Sequence, residues 1–127
     1  LQAHPSTAPS LTASYARAEH EPGAKIAAMA PLGHARGSVN AVVLPDGQGY
    51  LQSRLPALPR GEVYQLWGVS GTSVLSLAVL GGDPRVAAFS ASTGTGLNEL
   101  MITVEKAPGV AITSHVPVVA GPLTATA

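Results

Sequence analysis

The stretch Glu-Val-Tyr-Gln-Leu-Trp-Gly-Val, Glu62–Val69, holds the single tryptophan and one of the three tyrosines of this 127-residue chain. Valine, tyrosine, leucine and tryptophan in so short a run favour a β-strand. At a period of two, Tyr64 and Leu66 share one face of this strand, and Trp67 lies on the other. Apolar residues on both faces indicate an interior strand that is covered on both sides. We therefore expect the core to form around Trp67.

The composition indicates one domain with few charges. Charged residues make up 11% of the chain, against about 25% in an average domain. Aromatic residues make up 4%, so the core must consist mainly of valine, leucine, isoleucine and alanine. The formal net charge is zero, and no basic block is present for nucleic acid or an anionic membrane surface. The chain has no cysteine, which excludes disulfides, thiolate metal ligands and cysteine nucleophiles.

Short apolar runs separated by turn signals lie on both sides of Glu62–Val69. Arg36–Leu44 and Gln48–Leu55 form one predicted hairpin, and Ser73–Leu80 forms another with Glu62–Val69. Further strands are predicted at Lys25–Met29, Arg85–Ala91, Asn98–Glu105 and Val116–Ala120. About seven to eight short strands, with turn signals about every 8–12 residues, predict an all-β fold, either an antiparallel β-sandwich or a partly open barrel.

The two ends of the chain differ from its middle. Residues 1–20 are rich in small and hydroxyl side chains, which predicts a flexible tether. Within this tether, Tyr15–His20 fits either a helical turn or a strand at a sheet edge. Residues 21–122 form the predicted β domain, and residues 123–127 a frayed tail. The chain opens with Leu1 rather than methionine, so we expect a fragment of a longer or processed protein. No apolar run reaches the roughly 20 residues of a membrane span.

Patterns that point to catalysis or metal binding are weak. Glu19-His20-Glu21 offers metal ligands, but neighbours in an extended segment point to opposite sides, so we expect a solvated surface. The stretch Gly68–Thr72 is similar to a serine hydrolase elbow around Ser70, yet it has threonine in place of the last glycine and no following helix. We expect a hairpin turn there.

The remaining acidic and glycine-rich patterns also fit structural roles. Glu99 and Glu105 share one strand face, where we expect them to point into solvent. Asp46 and Asp83 lie in turns, and Gly94-Thr95-Gly96 is expected to be a loop because it lacks the lysine of a phosphate-binding loop. The sequence therefore predicts no catalytic residues, no cofactor and no metal, and the chain is not expected to be an enzyme.

Aromatic side chains leave one alternative function open. Tyr50, Tyr64 and Trp67 are candidates for stacking against sugar rings. In that case the chain would be a secreted carbohydrate- or small-ligand-binding β module. Aromatic residues of a small β domain lie more often in the core. Because no catalytic set of residues is found, a binding, sensing or structural module is favoured by elimination.

Three pieces of sequence, in order, carry a resemblance to a known family. Leu55–Gly61 is a leucine- and proline-rich turn that ends in glycine, and Tyr64-Gln65-Leu66-Trp67 follows it. Leu100–Glu105 ends in Thr-Val-Glu, and Val116–Pro122 is a short apolar run that contains Ala-Gly. From about Glu21 to Pro122, the sequence resembles the extracytoplasmic C-terminal domain of the RskA family of anti-sigma-factor proteins.

The resemblance implies a non-catalytic sensor or regulatory domain on the extracytoplasmic side of a bacterial cell membrane. The full protein would bind an extracytoplasmic-function sigma factor through a cytoplasmic domain absent from this chain, and would cross the membrane once. Regulated proteolysis by a membrane protease would release the sigma factor, with residues 1–20 as the juxtamembrane tether. No cofactor or nucleic acid is implied, and this fragment itself is not expected to bind the sigma factor.

Overall fold

A computed structural model describes residues 10–91 and 96–125 and shows an all-β fold with one short helix. The helix, α1, spans Leu11–Ala18. The strands are β1 Lys25–Pro31, β2 Val39–Val43, β3 Gln48–Ser53, β4 Glu62–Ser70, β5 Ser73–Gly81, β6 Val86–Ser90, β7 Glu99–Lys106, β8 Val119–Pro122 and β9 Thr124–Ala125.

The strands pair antiparallel in one strongly curved sheet. Their order is β5-β4-β7-β8-β1-β2-β3-β6, and β9 pairs with β1 off this path. Strand β1 joins the two halves of the sheet, since Lys25–Met29 pairs with β2 while Ala30 and Pro31 pair with β8. The two end strands, β5 and β6, approach each other, so the sheet forms a nearly closed barrel. The predicted all-β antiparallel fold is confirmed.

Both predicted hairpins are present. Strands β2 and β3 pair across a turn in which Asp46 accepts the Gln48 N–H at 2.9 Å, and Gly47 takes a φ of 91°. Strands β4 and β5 pair as far as Ser70 and Ser73, which face each other across the turn. Two strands start later than predicted: β2 begins at Val39 and β8 at Val119.

The main core lies inside the barrel and consists largely of aliphatic side chains. Tyr64 and Leu66 point into it from β4. Leu100 and Ile102 point into it from β7, as the alternation of apolar and polar residues in this strand predicts. Trp67 is fully buried, but it lies on the opposite face of β4, outside this core. The expectation that the core forms around Trp67 is therefore wrong, although β4 is an interior strand covered on both faces, as predicted.

Helix α1 lies within the predicted tether and packs on the sheet. The Ser10 hydroxyl accepts the Ala13 N–H at 3.1 Å, which caps the helix at its first turn. Tyr15 and Ala18 are buried together with Val42 on the outer face of the β2, β3 and β6 half. Residues 1–9 lie outside the described residues. The domain boundary after residue 20 stays a prediction. For Tyr15–His20 the sequence left open a helical turn or an edge strand, and the structure shows the helix.

Candidate functional site

A long connection covers the outer face of β4 and β7. We call residues 107–118, which join β7 to β8, the strap. The apolar side chains of Ile112 and Val116 in the strap are 86% and 80% exposed, so they point away from the sheet. The last residue of the strap, Val118, packs against the main core and donates its N–H to the Ile102 carbonyl. Hydrogen bonds to buried side chains of the sheet hold the rest of the strap.

The Gln65 side chain of β4 holds the first part of the strap. Its amide nitrogen donates to the Val110 carbonyl at 2.8 Å and to Ser76 Oγ at 2.7 Å, and its amide oxygen accepts the Val110 N–H at 3.0 Å. Gln65 is 1% exposed. Because the amide bonds both backbone groups of Val110, it acts like a short piece of neighbouring strand. Gly109 has a φ of 111°, and a Cβ there would lie 3.0 Å from Gln65 Oε1, so glycine is required.

A second set of hydrogen bonds runs from Trp67 across to β7. The Trp67 indole N–H donates to Thr103 Oγ1 at 2.9 Å, and the Thr103 hydroxyl donates to Glu105 Oε2 at 2.7 Å. Trp67 and Thr103 have no exposed surface, and Glu105 is 3% exposed. Each donor is therefore satisfied in a place that water does not reach, as buried polar groups require.

Glu105 connects this chain to the strap. Thr113 Oγ1 donates to Glu105 Oε2 at 2.6 Å, and His115 Nδ1 lies 2.8 Å from Glu105 Oε1. Thr113 Oγ1 in turn accepts the His115 backbone N–H at 3.0 Å. Both carboxylate oxygens are therefore engaged. The prediction that Glu105 faces solvent is wrong, because the strap covers this part of the outward face of β7.

Opposing effects act on the ionisation of Glu105. Burial raises the pKa of this carboxyl, but hydrogen bonds from Thr113, Thr103 and His115, together with the charge of His115, outweigh burial and lower the pKa below its usual value. The carboxylate is thus the form that the surrounding donors stabilise. The ion pair is partly open to solvent, since the His115 side chain is 59% exposed.

The carboxylate–imidazole pair is similar to the orienting half of a hydrolytic triad, which also needs a nucleophile bonded to the imidazole. Among the described residues, the His115 ring hydrogen-bonds to Glu105 alone. The two nearest bonded hydroxyls, Thr103 and Thr113, donate to the carboxylate instead. The geometry therefore supports attachment of the strap better than nucleophilic catalysis.

The other sequence candidates lie apart from the strap. Ser70 ends β4 opposite Ser73, so the expected hairpin turn is confirmed in place of a nucleophile elbow. Glu19, His20 and Glu21 are exposed directly after α1, as expected for a solvated surface. Across residues 10–91 and 96–125, no three potential ligands among histidine and acidic side chains are placed to hold a metal. Gly94 and Thr95 lie outside the described residues.

The aromatic candidates do not form a stacking surface. Tyr64 is 3% exposed and donates its hydroxyl to the Pro56 carbonyl, while Trp67 is fully buried on the other face of the same strand. Tyr50 packs beside α1, near Val42. Since Tyr64 and Trp67 present no ring face to a ligand, the interpretation of these residues as a sugar-binding platform is wrong.

Sequence reasoning missed the residues that attach the strap. Gln65, Thr103 and His115 were not predicted as a set, and Glu105 was assigned to solvent. A usable signal was the length of the connection, because neighbouring antiparallel strands are commonly joined by about 2–5 residues. A connection as long as residues 107–118 must cross a face of the sheet, and the polar outward positions of β4 and β7 mark which face.

The buried hydrogen-bonding residues coincide with the sequence pieces that carry the family resemblance. Gln65 and Trp67 belong to the Tyr-Gln-Leu-Trp piece, and Thr103 and Glu105 belong to the Thr-Val-Glu piece. A family model described as the C-terminal part of anti-sigma-K factor RskA matches residues 1–118. The chain belongs to this RskA C-terminal family. Searches of curated proteins and of solved structures gave no significant match.

Membership of the RskA C-terminal family assigns the chain a regulatory role, as a domain of an anti-sigma factor. The partner of an anti-sigma factor is, in general, a sigma factor. The RskA-type sequence pieces serve here to build the fold: Tyr64 binds the leucine-proline turn at Pro56, and Glu105 binds the strap. In the part of the chain that is described, no helix has both the length and the apolar character needed to cross a membrane.

Proposed function

We propose that this chain is the non-catalytic, extracytoplasmic regulatory domain of a membrane-anchored anti-sigma factor. The observation that carries the proposal is the RskA family match over residues 1–118. In the proposed protein, a cytoplasmic domain outside this chain binds an extracytoplasmic-function sigma factor. A single membrane span connects that domain to the β domain on the outer side of the bacterial cell membrane.

The geometry of the strap supports a regulatory role without catalysis. Glu105 is the most deeply buried of the acidic side chains that are described, and its two oxygens bind Thr103, Thr113 and His115. The Gln65 amide is used in the same way by Val110. The groups best suited to chemistry thus hold the domain together, which fits a domain that acts through its folded shape and its contacts.

Regulated proteolysis is the proposed means of releasing the sigma factor, with residues 1–20 as the juxtamembrane tether. Proteases bind their substrates as extended chain, and residues Leu11–Ala18 are a helix whose Tyr15 and Ala18 are buried on the sheet. Cleavage within α1 would therefore require the helix to leave the sheet and unwind. The packing of α1 on the sheet would therefore control whether a protease can cleave this segment.

Fusion proteins test on which side of the membrane the domain lies. Alkaline phosphatase, which is active only outside the cytoplasm, is fused after Ala127 of the full-length protein in its bacterial host, and green fluorescent protein is fused at the same place as the matched control. We expect phosphatase activity with little fluorescence from the second fusion. Strong fluorescence with an inactive phosphatase would refute the extracytoplasmic assignment.

A deletion tests regulation. Residues 10–125 are removed from the full-length protein, and a matched control carries an unrelated folded domain in their place. We expect the deleted protein to be cleaved, so that a fragment shorter than the deleted protein itself appears on immunoblots and sigma-dependent transcription rises. Absence of such a fragment, together with unchanged transcription, would contradict the proposal. The purified 127-residue chain should fail to retain the sigma factor that the full-length protein retains. Retention by the chain alone would contradict the assignment of sigma-factor binding to the cytoplasmic domain.

A further inference from the structure

Strand β5 approaches β6 but does not pair with it in the described part of the chain, so it leaves an open edge at one end of the sheet. Among the described residues it pairs only with β4. Its first four residues, Ser73–Ser76, are all exposed. Because consecutive residues of a strand point to opposite faces, exposure of all four means that neither face of this segment is covered. The segment therefore presents unpaired backbone groups together with uncovered side chains.

The opposite end of the sheet is protected, and β5 is not. Strand β6 is shorter, at five residues, and α1 packs against it. Edge strands that remain single are usually short, charged, interrupted by proline or covered, because an open edge is a template for another strand. Strand β5 has nine residues, Ser-Val-Leu-Ser-Leu-Ala-Val-Leu-Gly, with no charge and no proline. Neither short length, nor charge, nor proline therefore protects this edge.

Irregular pairing does not reach the exposed segment. The register of β4 against β5 shifts between Tyr64 and Gln65 and again between Leu66 and Trp67. From Trp67 to Ser70 the register is regular, with Ser76 to Ser73 opposite. A bulge twists an edge away from a partner strand, but here Ser73–Ser76 lies beyond both bulges. This segment is therefore straight enough to accept a further strand.

Apolar side chains flank the open backbone. Val74 is 44% exposed and Leu75 is 38% exposed, and they lie on opposite faces of β5. On the outer face, Val74 borders the groove above Trp67 whose other wall includes Ile112 of the strap, 86% exposed. A strand added to β5 would cover apolar surface on both faces, and the strap would widen the contact on one of them.

We propose that Ser73–Ser76 of two copies of this chain pair antiparallel about a two-fold axis, so that the sheet continues from one copy into the other. An antiparallel pair of identical strands is self-complementary, as a two-fold interface requires. With the axis perpendicular to the sheet, Val74 or Leu75 at the axis faces its own copy. The chain has zero net charge and β5 carries none, so no charge repulsion opposes this contact. The inference does not depend on the proposed regulatory function.

Sedimentation of the complete 127-residue chain, over a range of concentrations, tests the dimer. We expect a concentration-dependent monomer–dimer equilibrium. Leu75→Lys places like charges close together across the axis and should raise the dissociation constant at least about tenfold. Ile26→Lys is the matched control, because Ile26 is also an apolar strand residue with 38% exposure, and it should leave the dissociation constant unchanged. A chain that stays monomeric at its highest soluble concentration, or an equal effect of both variants, would overturn the proposal.

Single cysteines give a second test that does not require lysine to be tolerated. The chain has no cysteine of its own, so Val74→Cys, Leu75→Cys and the control Ile26→Cys each introduce one thiol. On mild oxidation, at least one of the two β5 variants should form a disulfide-linked dimer rapidly, and Ile26→Cys should not. Absence of the linked dimer in both β5 variants, or equal linkage in the control, would refute pairing at this edge.

Discussion

Trp67 donates its indole N–H to Thr103 Oγ1 at 2.9 Å, and neither residue has exposed surface. The bond lies on the face of β4 and β7 that points away from the barrel core. The single tryptophan is therefore buried on the outer face, beside Val74, Met101 and residues 112–115 of the strap, instead of in the aliphatic core. This places the largest side chain of the domain within a hydrogen-bonded layer whose integrity depends on residues 107–118.

Replacement of Trp67 separates the contribution of its ring to stability from the contribution of its N–H group. Trp67→Ala leaves a large cavity and should lower the free energy of unfolding by about 3–5 kcal/mol. Trp67→Phe keeps most of the ring but removes the donor to Thr103, and should cost less, about 1–3 kcal/mol. Denaturant unfolding of both variants measures the difference. A cost near zero for Trp67→Ala would contradict the burial of this side chain.

Fluorescence of the single tryptophan reports on the same burial. Because Trp67 is fully buried, its emission should be blue-shifted and resistant to quenching by acrylamide. Added mono- and oligosaccharides should leave the spectrum unchanged, since Trp67 and Tyr64 present no free ring face. Emission typical of a tryptophan in water, or a shift on addition of sugar, would restore the ligand-binding interpretation. Unfolded chain in denaturant provides the red-shifted reference.

Acid should weaken the domain through Glu105. Its pKa is lowered in the folded state from the ordinary value of 4.5, so the unfolded chain binds the proton more readily. Glu105 therefore contributes stability above pH 4.5, and this contribution is lost as the pH falls through the lower folded-state pKa. Unfolding free energies measured from neutral pH into this acid range should fall less steeply for Glu105→Gln than for wild type.

The matched control for the acid series is Glu99→Gln, which removes a half-buried carboxylate from the same strand. The effect assigned to Glu105 is the difference between the slopes of stability against pH in Glu105→Gln and in Glu99→Gln. Equal slopes in wild type and in Glu105→Gln would show that the carboxylate does not bind the strap in its ionised form.

Two glycines provide a comparison of packing at the backbone. A Cβ at Gly121 would lie 2.4 Å from the Ala28 carbonyl oxygen, which is backbone of a paired strand. A Cβ at Gly68 would meet the end of the Leu97 side chain at 2.8 Å, and leucine can turn away. Gly121→Ala should therefore destabilise the domain by about 2–3 kcal/mol or more, and Gly68→Ala by about 1 kcal/mol. Thermal or denaturant unfolding of both variants decides; an equal cost would contradict this account of the β1–β8 contact.

The sequence predicted the strands and hairpins well because turn residues and period-two alternation are local signals. Leu100 and Ile102 point inward, as their alternation indicated. Ser70 lies at a hairpin turn, as expected, and faces Ser73 across it. The environment of Glu105 was not predictable from alternation, since an outward side chain becomes buried when a distant segment crosses over it. Its partners Thr113 and His115 lie in the strap, where no periodic pattern fixes their direction.

The same limit explains the wrong placement of Trp67. Alternation correctly set it apart from Tyr64 and Leu66, but it cannot tell which face of an interior strand points into the barrel. Size favoured the tryptophan face, whereas the fold uses the Tyr64 face for its core. Helix α1 was also hard to predict, because its apolar face against the sheet consists of little more than Tyr15 and Ala18.

Hydrogen exchange tests whether buried polar side chains of β4 and β7 hold the strap on the sheet. The Val110 N–H is bonded to Gln65 Oε1, and the His115 N–H to Thr113 Oγ1. In Glu105→Gln, loss of the charge weakens hydrogen bonds of the class that contributes about 1.5–3 kcal/mol. Exchange at Val110 and His115 should therefore become at least about tenfold faster, while the paired amides of β2 and β3 keep their wild-type rates. Unchanged strap exchange, or equal acceleration in β2 and β3, would contradict the claim.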